Sequence, residues 1–278
     1  MGLPLPTSLS PSKISSFKNC ALAFRFSVID RIPEPPSPAA SKGTLVHRAL
    51  QLLMDRPAGE RTLDAAQADL AQARIELSSH PDLVGLGMTP SEWDAFHDQA
   101  AVLVERYFAL EEPQRVRTIG LELMLTADLG QFTLRGIIDR LELGEDGELV
   151  VTDYKTGAAP SERHEQSRML GVHCYALLCE KVLGRRPARV QLLYLSNAEA
   201  IITTPTEQSV RGMERKALAL WQAVGRACHS EDFRPSRGPL CDWCSFRPYC
   251  PAWGGDPERA LELRDDPEAP ARLPLLTA

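Results

Sequence analysis

Apolar residues recur along the chain at two different periods, and the switch between them marks out its elements. Ile14, Phe17, Ala21, Phe24 and Val28 fall at helical spacing behind Ser10-Pro11, a serine N-cap followed by proline at the first helical position, which predicts one helical arm. Residues 31–42 carry Pro33, Pro35, Pro36 and Pro38 and are expected to be a linker or loop. Residues 43–53 read as a buried helix with one polar edge, since His47 and Gln51 are four apart and share a face. Two more helices are expected over 63–79 and 89–110. The second opens with Thr89, Pro90 and Glu92 as N-cap, N1 proline and capping-box glutamate.

The period then shortens to two. Residues 117–127 and 131–143 flank the turn Asp128-Leu129-Gly130, and Gly144-Glu145-Asp146-Gly147 leads into residues 148–155, so three consecutive strands form an antiparallel meander. Glu122 lies between Leu121 and Leu123, on the opposite face from both, where it either lines a site or faces water. Residues 162–183 predict a helix stopped by Gly184, and 188–196 a strand whose nearly continuous apolar run, Val190 to Leu195, suits burial on both faces. Residues 200–204 return beside it, and 207–229 form a last long helix. Helix, three strands, helix, strand, helix is the order of an α/β fold with a central sheet flanked by helices.

Composition narrows the class. A chain of 278 residues that is 44% hydrophobic and 24% charged can bury a sizeable core. No apolar run approaches about 18 residues and no basic-then-apolar leader is visible, which makes the cytoplasm the expected compartment. The net charge of −6 excludes a uniformly basic nucleic-acid coat while leaving room for a local basic groove. Part of that acidity sits in residues 256–268, expected to be a solvated tail.

The candidate chemistry is concentrated in Gly136-Ile137-Ile138-Asp139-Arg140 and Val150-Val151-Thr152-Asp153-Tyr154-Lys155-Thr156-Gly157. Alternation along a strand puts Asp153 and Lys155 on one face, and Asp139 on the preceding strand can join them. Two carboxylates and the intervening backbone carbonyl offer hard oxygen ligands for Mg²⁺ or Mn²⁺. Lys155 can orient water or steady a phosphate, which together suit metal-assisted phosphodiester hydrolysis. An isolated D-x-K tripeptide is more often an exposed salt bridge, so the longer motif carries the weight. A lone histidine such as His47 is likewise more often structural than a ligand.

The seven cysteines are unevenly spaced, which in a cytosolic chain favours metal ligation plus buried thiols over a disulfide framework. Cys241, Cys244 and Cys250 have C-x2-C-x5-C spacing and can converge on one metal centre, with Cys20 as the best candidate for a fourth ligand. Cys174, Cys179 and Cys228 lie in apolar helices as buried thiols.

With these pieces placed, the sequence resembles the RecB-like branch of the PD-(D/E)XK nuclease superfamily. The resemblance is particularly to its iron–sulfur members, such as the AddB nuclease domain and the CRISPR adaptation exonucleases. The marks are Ser10-Pro11-Ser12 with Ser15 and Phe17 ahead of Cys20, Gly43-Thr44-Leu45-Val46-His47, the two strand motifs above and the cysteine triplet.

The resemblance implies a restriction-endonuclease-like core with a helical insertion and an iron–sulfur staple. His47, Asp139 and Asp153 would bind Mg²⁺ or Mn²⁺, Lys155 would be the catalytic lysine, and Tyr175 would contact substrate. Cys20, Cys241, Cys244 and Cys250 would hold a 4Fe-4S cluster, or alternatively Zn²⁺. The implied division is an arm at 1–30, a nuclease core at 43–230 with its insertion at 63–111, a cysteine segment at 231–253 and a tail at 254–278. The implied activity is a metal-dependent DNA exonuclease acting on single-stranded ends, in repair, recombination or CRISPR adaptation. A DNA-binding or recombination partner of nuclease fold that has lost turnover is the alternative. Two departures stand out: Gly171 replaces the glutamine expected four residues before Tyr175, with Gln166 out of register, and Ala21 replaces a proline after Cys20.

Overall fold

The computed structural model describes residues 2–159 and 165–265, without the side chains of 165–168 and 265. The Gln166 side chain, the start of the expected helix at 162 and the tail beyond 265 lie outside what it describes. Six strands form one mixed sheet: β1 (Ser8–Leu9), β2 (Arg117–Asp128), β3 (Thr133–Leu143), β4 (Leu149–Lys155), β5 (Arg189–Tyr194) and β6 (Glu199–Thr203). The expected meander is present, since β2 pairs antiparallel with β3 and β3 with β4. β5 then lies parallel to β4, reached through a helix as a parallel crossover requires, and β6 returns antiparallel beside β5.

Period-two alternation on β5 explains the layers. Leu192 and Tyr194 face a core made with α1 (Pro11–Asn19), α7 (Glu165–Leu183) and α8 (Glu207–Ser230). Leu193 and Leu195 face the opposite core, made with α3 (Pro38–Asp55), α4 (Leu63–Glu76) and α6 (Pro90–Tyr107). Helices thus flank the sheet on both sides. Among the described residues no helix is long and apolar enough to cross a membrane.

A third apolar cluster joins the first residues to the last. Leu22, Phe24, Phe26 and Ile32 pack with Val224, Cys228, Phe233, Phe246 and Ala260.

Three expectations need correction. The N-terminal arm is not one helix: α1 ends at Asn19, Cys20 is extended (φ −160°, ψ 111°), and α2 (Ala21–Phe24) runs into a π-helical turn at Arg25–Ile29. One straight helix cannot serve two cores. The break leaves Ile14 against the sheet while Leu22, Phe24 and Phe26 turn to the C-terminal segment. Residues 38–42, expected as loop, are helical, because Pro38 occupies the first helical position where its missing N–H costs nothing.

The third correction bears on the site. Leu121 packs on the α3 side of the sheet and Leu123 on the α7 side, so they do not share a face. The cause is Glu122 between them, whose φ of +44° twists β2 out of its regular pleat. β3 switches faces at the opposing position. Ile138 lies in the α7 core, whereas Arg140, two residues on, reaches Tyr107 and Glu111 on the α6 side.

Candidate active site

The site forms where β3 and β4 part. Their ladder runs from Leu143↔Leu149 to Arg140↔Thr152 and stops there, while β4 continues to pair with β5 as far as Lys155↔Tyr194. The Tyr154 N–H, which the ladder would have given to β3, donates instead to Asp139 Oδ2 at 2.7 Å. A buried N–H must find an acceptor, so the carboxylate wedges the strands open.

α3 brings His47 over this opening, with Nε2 3.0 Å from the Tyr154 carbonyl oxygen and Nδ1 3.5 Å from Asp139 Oδ2. Asp153 and Lys155 share the α7 face of β4, as alternation requires, and Lys155 Nζ lies 2.5 Å from Asp153 Oδ2. Tyr175 is buried and its hydroxyl donates to Asp153 Oδ1 at 3.1 Å. Gly136 makes that contact possible, because a Cβ there would sit 2.7 Å from Leu178 Cδ1 of α7.

Glu122 completes the group. One ligand atom from each of His47, Glu122 and Asp139 lies within 4.8 Å of the others, the only such cluster among the described residues. Alternation alone left Glu122 undecided, and the twist that aims it inward had no signal in the sequence.

Charge is badly balanced here. Burial, then the neighbouring Asp139 and Asp153, push the Glu122 carboxyl up to about 8. Burial and Asp153 push Asp139 up to about 6, against the pull of His47 and Lys155. Burial alone would lower the Lys155 ammonium, but Asp153 outweighs it and holds the lysine above its ordinary value. Asp153 Oδ2 is buried and has no well-angled hydrogen bond. Three carboxylates facing one lysine is an arrangement that a divalent cation would neutralise.

Behind the opening, Arg140 is fully buried. It donates to Glu111 Oε2 (2.9 Å), Tyr107 Oη (3.1 Å), Tyr154 Oη (2.8 Å) and Thr152 Oγ1 (3.0 Å), and its Nε lies 2.6 Å from Glu142 Oε2. This ties the helical layer to the two strands exactly one residue behind Asp139 and Asp153.

Where the arm meets the C-terminal segment, Cys20, Cys241, Cys244 and Cys250 line one cavity of about 430 Å³. The Ser236 N–H points to Cys20 Sγ (3.5 Å) and the Gly238 N–H to Cys241 Sγ (3.4 Å). Cys174, Cys179 and Cys228 are buried in helices, and burial pushes the first two thiols up to about 12.

A mixed sheet flanked by helices, with carboxylates, a lysine and a histidine gathered where two strands part, defines an α/β protein with a candidate metal site. The chain belongs to the PD-(D/E)XK nuclease superfamily, whose family model matches residues 8–251. Nucleases of this superfamily use divalent metals, and the His47–Glu122–Asp139 group could hold one. A crystal structure from Eubacterium rectale named "Putative exonuclease" is similar in fold, with a TM-score of 0.56 at 13% identity over 86% of this chain and 87% of that one. The structure of SSO0001 aligns with a TM-score of 0.42 at 11% identity, over 90% of this chain and 88% of that one. No curated protein matches the sequence.

Proposed function

We propose that the protein is a divalent-metal-dependent DNA exonuclease that acts on single-stranded ends. The observation that carries this reading is the meeting of His47, Glu122 and Asp139 beside the Asp153–Lys155 pair at the split between β3 and β4. His47, Asp139, Asp153 and Glu122 would hold Mg²⁺ or Mn²⁺, and a histidine among carboxylates makes Mn²⁺ a good fit. The bound ion would supply charge neutralisation at the phosphate and a more acidic water.

The protein's own groups do the rest. Lys155, kept protonated by Asp153, orients the attacking water and steadies the charge that builds on the phosphate. Tyr175 holds Asp153 through its hydroxyl and would also contact substrate. The Tyr154 N–H fixes Asp139 in the same way. Exonuclease action draws support from the name of the Eubacterium rectale structure.

The four cysteines would carry a 4Fe-4S cluster, a reading supported by their lining one cavity and by the N–H groups aimed at Cys20 and Cys241. Its role would be structural, joining the arm to the C-terminal segment. Iron and acid-labile sulfide in protein purified without oxygen test this. Zinc alone would refute it.

The catalytic reading is tested with end-labelled single- and double-stranded DNA in Mg²⁺, Mn²⁺ and chelator. Wild type should shorten single strands stepwise from an end only with metal, and Asp153→Ala should abolish cleavage while leaving the cysteine site intact. Full metal-dependent activity in that variant would sink the assignment. The absence of the expected glutamine, at Gly171, favours the second reading, a binding protein without turnover. DNA retention with no cleavage under any divalent ion would establish it.

A further inference from the structure

One strip of the sheet is left bare among the described residues. Alternation along β2 sends Leu123, Leu125 and Ala127 into the α7 core, and along β3 it sends Leu134 and Ile138 there. Met124, Thr126, Arg135 and Ile137 therefore point to the opposite face, and none of the four joins either core of the sheet. Met124 is 47% exposed, Thr126 and Arg135 are exposed, and Ile137 is half-buried.

The strip starts at the metal-ligand group. The ladder sets Met124 opposite Ile137 and Thr126 opposite Arg135, so these are the next two rows along the strands from Glu122 and Asp139. Arg135 lies about 13 Å from Asp139 along β3, four residues at about 3.3 Å each.

Lys13 reaches the same end from α1. Its ammonium donates to the Ser8 carbonyl oxygen at 3.1 Å, and β1 pairs Ser8 with Thr133 and Leu9 with Leu134, next to Arg135. Burial, then the positive charges of Arg135 and Arg31, hold the Lys13 ammonium below its ordinary value. Neither Lys13 nor Arg135 forms an ion pair with a carboxylate among the described residues: Lys13 keeps two of its three ammonium protons free of Ser8, and Arg135 meets only the weakly accepting Met124 sulfur at 3.8 Å. Asp128, one row further along β2, turns Oδ1 back to the Gly130 N–H at 2.8 Å.

On two counts this is not an ordinary wet sheet face. A face turned to water carries polar residues, yet Met124 and Ile137 form an uncovered apolar pair directly beside the candidate catalytic groups. Cations repel one another, yet two gather here without a counter-charge in a chain of net charge −6. A nucleic-acid strand answers both, with phosphates for the cations and flat base faces for the apolar pair.

We propose that this strip holds the nucleotides adjoining the scissile phosphate, with Arg135 and Lys13 on backbone phosphates and Met124 and Ile137 beneath the bases. Contacts of this kind position a strand without reading its sequence. The proposal rests on the nuclease reading for which strand lies there, and its test is separable.

Fluorescently labelled single-stranded oligonucleotides of mixed sequence are titrated with the protein in chelator, across about 50 to 200 mM salt. Arg135→Gln and Lys13→Gln should each weaken binding about tenfold at the lowest salt. Each should also lower the slope of log affinity against log salt by about 0.7, the share of one phosphate contact on a single strand. Met124→Gln should weaken binding about threefold with the slope unchanged, because no phosphate contact is lost. Arg215→Gln, the same charge change at an exposed position of α8, should leave the slope alone. Circular dichroism checks that each variant is folded. Failure of wild type to bind, slopes untouched by Arg135→Gln and Lys13→Gln, or an equal fall in slope with Arg215→Gln overturns the proposal. Cleavage of the same strands in Mn²⁺ is scored separately. The expected slopes without cleavage keep the strip and discard the nuclease reading, while cleavage with unmoved slopes does the reverse.

Discussion

Replacing Asp139 with asparagine is expected to stabilise the metal-free protein. Burial and the neighbouring Asp153 hold the Asp139 carboxyl at about 6, against 3.8 for an ordinary aspartate. Folding therefore favours the protonated form, a contribution fully present below pH 3.8 and lost as pH rises through 6. At about 1.4 kcal/mol per pH unit, keeping Asp139 ionised in the folded protein at pH 8 costs about 3 kcal/mol. Asparagine removes that cost and keeps an oxygen for the Tyr154 N–H, now 2.7 Å from the carboxylate. In chelator at pH 8 the variant should melt roughly 6–12 °C above wild type, at about 2–4 °C per kcal/mol for a chain of this size. At pH 4 the gap should nearly close. Millimolar Mn²⁺ should raise the wild-type midpoint and leave the variant's almost unmoved, since only an intact site gains from binding. A variant that melts below wild type in chelator at pH 8, or an offset that ignores pH, would refute the reasoning.

Other consequences are equally open to measurement. Because the Glu122 carboxyl is pushed up to about 8 and must lose its proton to bind a cation, wild-type Mn²⁺ affinity should climb between pH 6 and 8 in a titration. Glu122→Gln should flatten that climb and weaken binding about tenfold or more. Glu111→Gln leaves the buried Arg140 with Glu142 as its remaining carboxylate and should cost about 3 kcal/mol in a denaturant titration. An unchanged midpoint would count against the network. Gly136→Ala places a methyl 2.7 Å from Leu178 and should cost about 1–3 kcal/mol. Displacing α7 loosens Tyr175 from Asp153, so cleavage should fall further than stability explains.

What the sequence made legible followed from local rules. Asp153 and Lys155 share a face because strand alternation is strict, and the capping box at Thr89 and Glu92 formed as written because it depends on four consecutive residues. The meander and the two-sided burial of β5 were readable for the same reason. Non-local features were not readable. Glu122 enters the site through one left-handed residue that alternation cannot anticipate. Arg140 meets Glu111 across 29 positions, between the helical layer and the sheet. The break at Cys20 arises from the competing demands of two cores. His47 looked ordinary in its helix, and its significance came from the resemblance rather than from its own surroundings.

The third apolar cluster also constrains how the chain is made. Leu22, Phe24 and Phe26 gain their cover from Phe233, Phe246 and Ala260, roughly two hundred residues later. At about 5–20 residues per second, a ribosome would leave those aromatic side chains uncovered for roughly 10–40 seconds after they emerge. The earliest segment synthesised is thus among the last to be buried. During that interval the nascent arm exposes apolar surface of the kind a holding chaperone binds.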